Sequence, residues 1–124
     1  MPILNIFVNH NVTPAQKQQL LERSSQAVVD SIGAPLANVR GIVQTVDANS
    51  TIVAGEIGKE QVQVTVYLLP GRTDEQKEAL IAALSRAVTD SVGVSDQDSR
   101  VIIHDIPLSD MGVAGGISAQ AARR

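Results

Sequence analysis

Residues 73–103 read TDEQKEALIAALSRAVTDSVGVSDQDSRVII, and residues 13–43, sixty positions earlier, read TPAQKQQLLERSSQAVVDSIGAPLANVRGIV. Twelve of these 31 aligned positions are identical. An internal repeat of this kind means that one structural unit is written twice along the chain. The only two aromatic residues, Phe7 and Tyr67, also fall on each other in this alignment. We therefore predict repeats over about residues 2–56 and 61–116, within one domain that spans residues 1–124.

Each repeat predicts a strand, a helix and a second strand. Residues 62–68 alternate apolar and polar side chains, which is the period of a strand with one buried face, and residues 3–8 are their less regular counterpart. Residues 40–46 and 100–106 predict the second strands. Because a helical crossover connects parallel strands of one sheet, the expected fold is a two-layer α/β (α+β) domain. It has a four-stranded sheet with two helices on one face.

The ends of both predicted helices carry capping signals. Thr73 followed by Gln76 is a capping box, in which each side chain bonds to the other residue's backbone nitrogen. Thr13 and Gln16 repeat that pattern in the first half. Glycine follows each helix where a left-handed cap is expected.

A sheet with both helices on one face leaves its other face bare. Residues 6–8 and 101–103 are apolar without alternation, which is typical of strands that are covered on both sides. A bare apolar face favours association, so we predict an oligomer whose sheets close against one another. Residues 52–55 and 111–116 predict small hairpins or extended arms that could contact neighbouring chains.

The composition narrows the function classes. With 44% hydrophobic and 19% charged residues the chain is globular, and a net charge of −3 makes nucleic acid an unfavourable partner. Cysteine is absent, which excludes disulfides and thiolate metal ligands. His10 and His104 lie far apart and have no carboxylate at ligand spacing, so we expect no metal. His104 is expected to pack in its strand as a hydrogen-bonded imidazole and His10 to contact solvent from a polar loop, and neither is assigned a role. Without a membrane-length apolar run or an export signal, the expected location is the cytoplasm and no membrane partner is expected.

Four kinds of residue could carry chemistry. If Met1 is removed, Pro2 presents a secondary amine whose pKa starts near about 7.7 to 8.0 and falls on burial, as a general base requires. Arg72 places a guanidinium beside a helix start, where the two positive features together favour a carboxylate. Arg40 and Arg100 each open a second strand, where pairing with an acid and contacting a substrate are equally supported. Proline after Met1 is also common in proteins that do not use it.

Several segments together resemble the tautomerase superfamily, in particular its 4-oxalocrotonate tautomerase group. They are Pro2-Ile3, residues 71–81 (GRTDEQKEALI), Ala34-Pro35-Leu36, Val39-Arg40, Arg100-Val101-Ile102-Ile103 and residues 112–116 (GVAGG). Most members of that group are single βαβ chains that assemble as hexamers. The present chain resembles a fused version, for which the resemblance implies a homotrimer in place of the hexamer.

The resemblance also implies roles for individual residues. Pro2 matches the amino-terminal proline that moves a proton from an enol oxygen to carbon, and Arg72 matches the arginine that binds a substrate carboxylate. Arg40 and Arg100 both match the strand arginine that reaches a site from a neighbouring subunit. Met111 stands where the family has a pocket phenylalanine, which departs from the pattern. The implied activity is a cofactor-independent enol/keto tautomerase acting on a small carboxylated enol or unsaturated 2-keto acid.

The two repeats are not equivalent in these residues. The first has Pro2 but Val12, whereas the second has Arg72 but Val62. A complete site therefore needs both halves, and a trimer would hold three working sites. Two alternatives stay open at this stage. One is a decarboxylase, hydratase or dehalogenase of the same superfamily, and the other is a noncatalytic ligand-binding trimer.

Overall fold

The computed structural model describes residues 2–123, and it contains the two predicted strand–helix–strand units in tandem. Short hairpins follow the second strand of each unit. In chain order the elements are β1 (Ile3–Val8), α1 (Pro14–Ile32), β2 (Arg40–Thr45), β3 (Ile52–Val53), β4 (Glu56–Ile57), β5 (Val62–Leu68), α2 (Asp74–Val92), β6 (Ser99–Asp105), β7 (Gly112–Val113), β8 (Ile117–Ser118) and α3 (Ala119–Ala122).

Both long helices begin and end as the capping signals predict. The Thr13 side chain accepts from the Gln16 backbone at 3.1 Å while the Gln16 side chain accepts from the Thr13 backbone at 2.8 Å. Thr73 and Gln76 form the same reciprocal pair. Gly33 and Gly93 close the helices with φ of 69° and 74°, which residues with a Cβ rarely adopt.

The four long strands form one sheet in the order β2-β1-β5-β6. Within each unit the strands are parallel, as predicted, and the two units join through antiparallel pairing of β1 with β5. The register aligns Ile3 with both Arg40 and Tyr67. The second strands end one residue earlier than predicted, although Val46 and Ile106 each still donate one backbone hydrogen bond to the neighbouring strand. The second of them starts one residue earlier, at Ser99.

Alternate residues of the central strands form the core with the helices. The α1 helix lies against β2, α2 lies against β6, and the helices pack on each other. The strand residues that face them are almost fully buried: Leu4, Ile6, Val8, Val62, Val64, Val66 and Leu68. This confirms two helices on a single face of the sheet.

The opposite sheet face is open in the single chain, and we call it the open face. By the register it carries Arg40, Ile42 and Gln44 of β2, Ile3, Asn5 and Phe7 of β1, Gln63, Thr65 and Tyr67 of β5, and Arg100, Ile102 and His104 of β6. Large apolar side chains are exposed there, with Phe7 at 37%, Ile102 at 46% and Ile42 at 65%. The unbroken apolar runs of the sequence thus include residues on both faces.

The segments predicted as hairpins or arms are hairpins. The β3 strand pairs with β4, and β7 pairs with β8. The chain then forms α3, which no sequence pattern predicts because a single helical turn is too short to show an apolar period. Within residues 2–123, no helix is long and apolar enough to cross a membrane.

Candidate active site

The two ends of the sheet are built from corresponding residues of the two repeats. At one end β1 and β2 begin while β5 and β6 finish, and we call it the Pro2 end. Pro2 is buried, and its carbonyl oxygen accepts from the Arg40 backbone at 3.0 Å. One step beyond the β1–β5 register, Pro2 lies opposite Leu68. Met1, whose removal the sequence predicts, lies outside the described residues.

The Arg72 loop starts at this same end, because it leaves β5 directly after Leu68. Gly71 turns the chain with a φ of 115°, which strongly favours glycine, and Thr73 then caps α2. The Arg72 side chain is half-buried, and its Nε atom has no hydrogen-bond partner among residues 2–123. None of the ion pairs in that range involves it. The loop thus presents an uncompensated guanidinium beside a helix N-terminus, an arrangement suited to an anion.

The two strand arginines lie at opposite ends of the sheet. Arg40 pairs with Ile3 and is exposed at the Pro2 end. Arg100 pairs with Gln63, which pairs with Phe7, so it lies roughly 16 Å along the strand direction from Pro2. One Arg100 nitrogen donates to the carbonyls of Gln97 and Ser99 at 2.9 and 2.8 Å. One chain therefore brings Pro2, Arg72 and Arg40 to one end and leaves Arg100 at the other.

Met111 belongs to the segment that follows β6 at the Pro2 end. It is 7% exposed, and its carbonyl accepts from the Ala119 backbone at 2.8 Å, which ties it to the start of α3. Its repeat counterpart, Thr51, lines a cavity at the opposite end. By the same relation Met111 belongs to the Pro2 end of the sheet.

We call the opposite end of the sheet the Val62 end. It has a cavity of about 460 Å³, but Val62 and Val12 stand there in place of Pro2 and Arg72. It is lined by aromatic, aliphatic and neutral polar residues, namely Phe7, Asn9, Val46, Ser50, Thr51, Ile52, Gln61 and Gln63. The buried Asn9 amide donates to Thr51 Oγ1 at 2.8 Å and to the Lys59 carbonyl at 2.7 Å, and it accepts from the Gln61 backbone at 2.7 Å. This network fixes the junction between the repeats. In the sequence the network is marked only by an asymmetry between the repeats, because Leu69 stands at the position equivalent to Asn9.

An ion pair present in only one repeat lies at the Pro2 end. Lys77 Nζ on the first turns of α2 donates to Asp105 Oδ2 at the end of β6 over 2.7 Å. Its counterparts are Lys17 and Thr45, which cannot form such a pair. No local sequence pattern predicts this contact, because the partners stand 28 residues apart. A scan for charges that differ between the repeats would have flagged Asp105.

The two histidines lie in surroundings that differ from those expected. His104 is exposed on the open face and stacks on Tyr67 with ring centroids 5.4 Å apart, rather than packing as a hydrogen-bonded core imidazole. Both ring nitrogens of His10 are buried without a partner among residues 2–123, although its polar loop predicted solvent contact. Within the same range, no three His, Asp or Glu residues are grouped to share a metal ion.

Comparison with known proteins agrees with the fold and its duplication. The family model described as "Tautomerase enzyme" matches residues 2–60 and again residues 63–121. The chain therefore belongs to the tautomerase family, and it is an enzyme. A 2-hydroxymuconate tautomerase of Comamonas testosteroni is 42% identical over 59 residues, which cover 92% of that protein but only 48% of this chain.

Solved structures of double length match almost the whole chain. A fused 4-OT solved as a wild-type symmetric trimer is 52% identical and superposes with a TM-score of 0.94, covering 98% of this chain and 99% of its own. Pt0534, crystallised after inactivation by 2-oxo-3-pentynoate, is 43% identical with the same TM-score and coverage. The chain is thus similar to the fused members of its family.

Proposed function

We propose that the chain is a homotrimeric, cofactor-independent enol/keto tautomerase of small carboxylated enols or unsaturated 2-keto acids, with Pro2 as general base. The observation that carries the proposal is the meeting of Pro2 and the Arg72 loop at one sheet end. The names of the relatives add support, because 2-hydroxymuconate is itself a small carboxylated compound.

The proposed reaction is a proton shift that needs no other reagent. Once Met1 is removed, the neutral Pro2 amine accepts the proton from the enol oxygen. The electron pair of that O–H bond forms the carbonyl, the C=C electrons take up the proton from the Pro2 ammonium, and the amine is regenerated. Burial of Pro2 favours its neutral form and so lowers the pKa of the amine toward the working range of a general base.

The arginines are assigned to binding and charge stabilisation. Arg72 forms no ion pair among residues 2–123, so its guanidinium can donate hydrogen bonds to a substrate carboxylate without first leaving an internal acid. A strand arginine, Arg40 or Arg100, completes the site and spreads negative charge in the transition state. Met111 forms an apolar wall that excludes water.

The homotrimer accounts for the open face. Phe7, Ile42 and Ile102 expose a large fraction of their apolar surface in the single chain, and such patches mark interfaces. Similar fused 4-OT structures have been solved as symmetric and as asymmetric trimers. In the trimer a strand arginine of one chain would reach the Pro2 end of the next.

The proposal is tested with Pro2→Ala and an aryl enol pyruvate as substrate. Intact mass should lack Met1 in the wild type, and kcat should fall by at least about 10²-fold in the variant, since general-base catalysis contributes about that much or more. The variant keeps an amino terminus and is checked for trimer mass by light scattering. Retained Met1, or equal kcat in a trimeric variant, would refute Pro2 as the base.

Counting sites tests the asymmetry between the repeats. Titration with an inhibitor that alkylates the amine should modify one Pro2 per chain, or three per trimer, and should leave the Val62 end unlabelled. Val62 offers only a peptide nitrogen there and cannot react. Modification of six sites per trimer would contradict the assignment.

A further inference from the structure

We infer that Lys77 is a positioning residue that holds the Asp105 carboxylate away from Arg72, so that the Arg72 guanidinium remains available for a substrate carboxylate. The inference rests on the proposed role of Arg72. Its starting observation is the 2.7 Å contact between Lys77 Nζ and Asp105 Oδ2.

Asp105 is placed where it could compete with a substrate. It aligns with Leu68, the residue from which the Arg72 loop departs, and the backbone of Ile106 donates to the Leu68 carbonyl at 2.7 Å. The end of β6 is thereby fixed beside the start of the loop. The Asp105 carboxylate is 41% exposed and attracts cations within its reach.

Lys77 is placed to intercept that carboxylate. It lies one helical turn beyond the Thr73 cap, and its backbone nitrogen donates to the Thr73 carbonyl at 3.0 Å. Side chains on a helix lean toward its N-terminus, which directs the Lys77 ammonium toward the Arg72 side of α2. The structure pairs the Asp105 carboxylate with Lys77, while Arg72, four residues beyond the strand partner of Asp105, forms no ion pair among residues 2–123.

The first repeat offers a natural comparison. Lys17 is retained there, but the position equivalent to Asp105 is Thr45 and the position equivalent to Arg72 is Val12. The acid and the arginine therefore occur together, in the same repeat. The lysine stands in both repeats, and only in the second does it have an acid to pair with and an arginine in the preceding loop.

The test compares Lys77→Met, Asp105→Asn, the double variant and the control Lys17→Met, using an aryl enol pyruvate. Lys77→Met should raise KM by up to about fivefold, the upper limit set by an exposed ion pair, and leave kcat unchanged. Asp105→Asn should keep the wild-type KM, and the double variant should return to it. Lys17→Met should have no effect, and Lys77→Arg should preserve the wild-type KM.

A purely structural ion pair gives a different pattern. Lys77→Met and Asp105→Asn would then raise KM equally, and the KM of the double variant would be no lower than that of Lys77→Met. That pattern would overturn the inference. An unchanged KM in Lys77→Met would overturn it as well. Urea midpoints confirm that each variant is folded, and Lys77→Gln serves in place of Lys77→Met if the latter is not.

A neutral substrate and an Arg72 variant separate the two proposals. Replacing the substrate carboxylate by an amide should abolish the difference in KM between wild type and Lys77→Met, because no anion then competes with Asp105. If Arg72→Ala leaves KM and kcat/KM unchanged, the proposed role of Arg72 fails. If Arg72→Ala impairs binding while the double variant shows no rescue, the inference about Lys77 alone fails.

Discussion

Replacing Arg72 with alanine should remove carboxylate binding without destabilising the protein. Hydrogen bonds to charged groups contribute about 1.5 to 3 kcal/mol, which corresponds to a fall in kcat/KM of about 10- to 150-fold. The fold should lose little, because Arg72 Nε has no partner among residues 2–123 and the Thr73 cap uses other atoms. We expect the free energy of unfolding to change by less than about 0.5 kcal/mol.

The assay measures initial rates of ketonisation of an aryl enol pyruvate by its ultraviolet absorbance, together with urea unfolding. Arg23→Ala is the matched control, because Arg23 lies on the helix layer in a 3.8 Å ion pair with Asp90 and both side chains are about half exposed. Removing that cation should change kcat/KM less than about twofold. A value for Arg72→Ala within twofold of wild type would refute the assignment of Arg72 to carboxylate binding.

Two further predictions concern stability and pH. Ser24 is fully buried in α1 with an unpartnered hydroxyl among residues 2–123, so Ser24→Ala should raise the free energy of unfolding by about 1 kcal/mol in urea titrations. The neighbouring, less buried Ser25→Ala should stay within about 0.5 kcal/mol of wild type, and a less stable Ser24→Ala would contradict the reasoning. The rate should fall as pH decreases through the pKa of the Pro2 amine, because the base must be neutral. Since burial lowers that pKa, the acid limb of kcat/KM should lie below about 7.7, whereas a limb above about 8.0 would contradict a buried amine.

The local signals of the sequence predicted most of the secondary structure. Thr13 and Thr73 each have a glutamine three residues later, and this chemistry fixes both helix starts without help from the rest of the chain. The strand of residues 62–68 was predicted with its observed limits because one face is buried and the other open. The duplication then predicted a four-stranded sheet with both helices on one face.

Contacts between residues that are distant in the sequence could not be predicted from local signals. The antiparallel pairing of β1 with β5 joins residues about sixty positions apart, and no local pattern specifies it. Arg40 and Arg100 look alike in the sequence, yet the register sends them to opposite sheet ends. The proximity of Pro2 to the Arg72 loop follows only from the family resemblance or from that register.

The covalent link between the repeats has an evolutionary consequence. When two copies of one short chain pair across a twofold axis, every substitution occurs at both sheet ends, so a change that harms one harms the other. In the fused chain a substitution changes only one of the two sheet ends. Asn9 could therefore replace the counterpart of Leu69, and form its three hydrogen bonds near the junction, while the Pro2 end stayed as it was. Joining the copies lets the two ends of the sheet carry different residues, as they do here with Pro2 against Val62 and Arg72 against Val12.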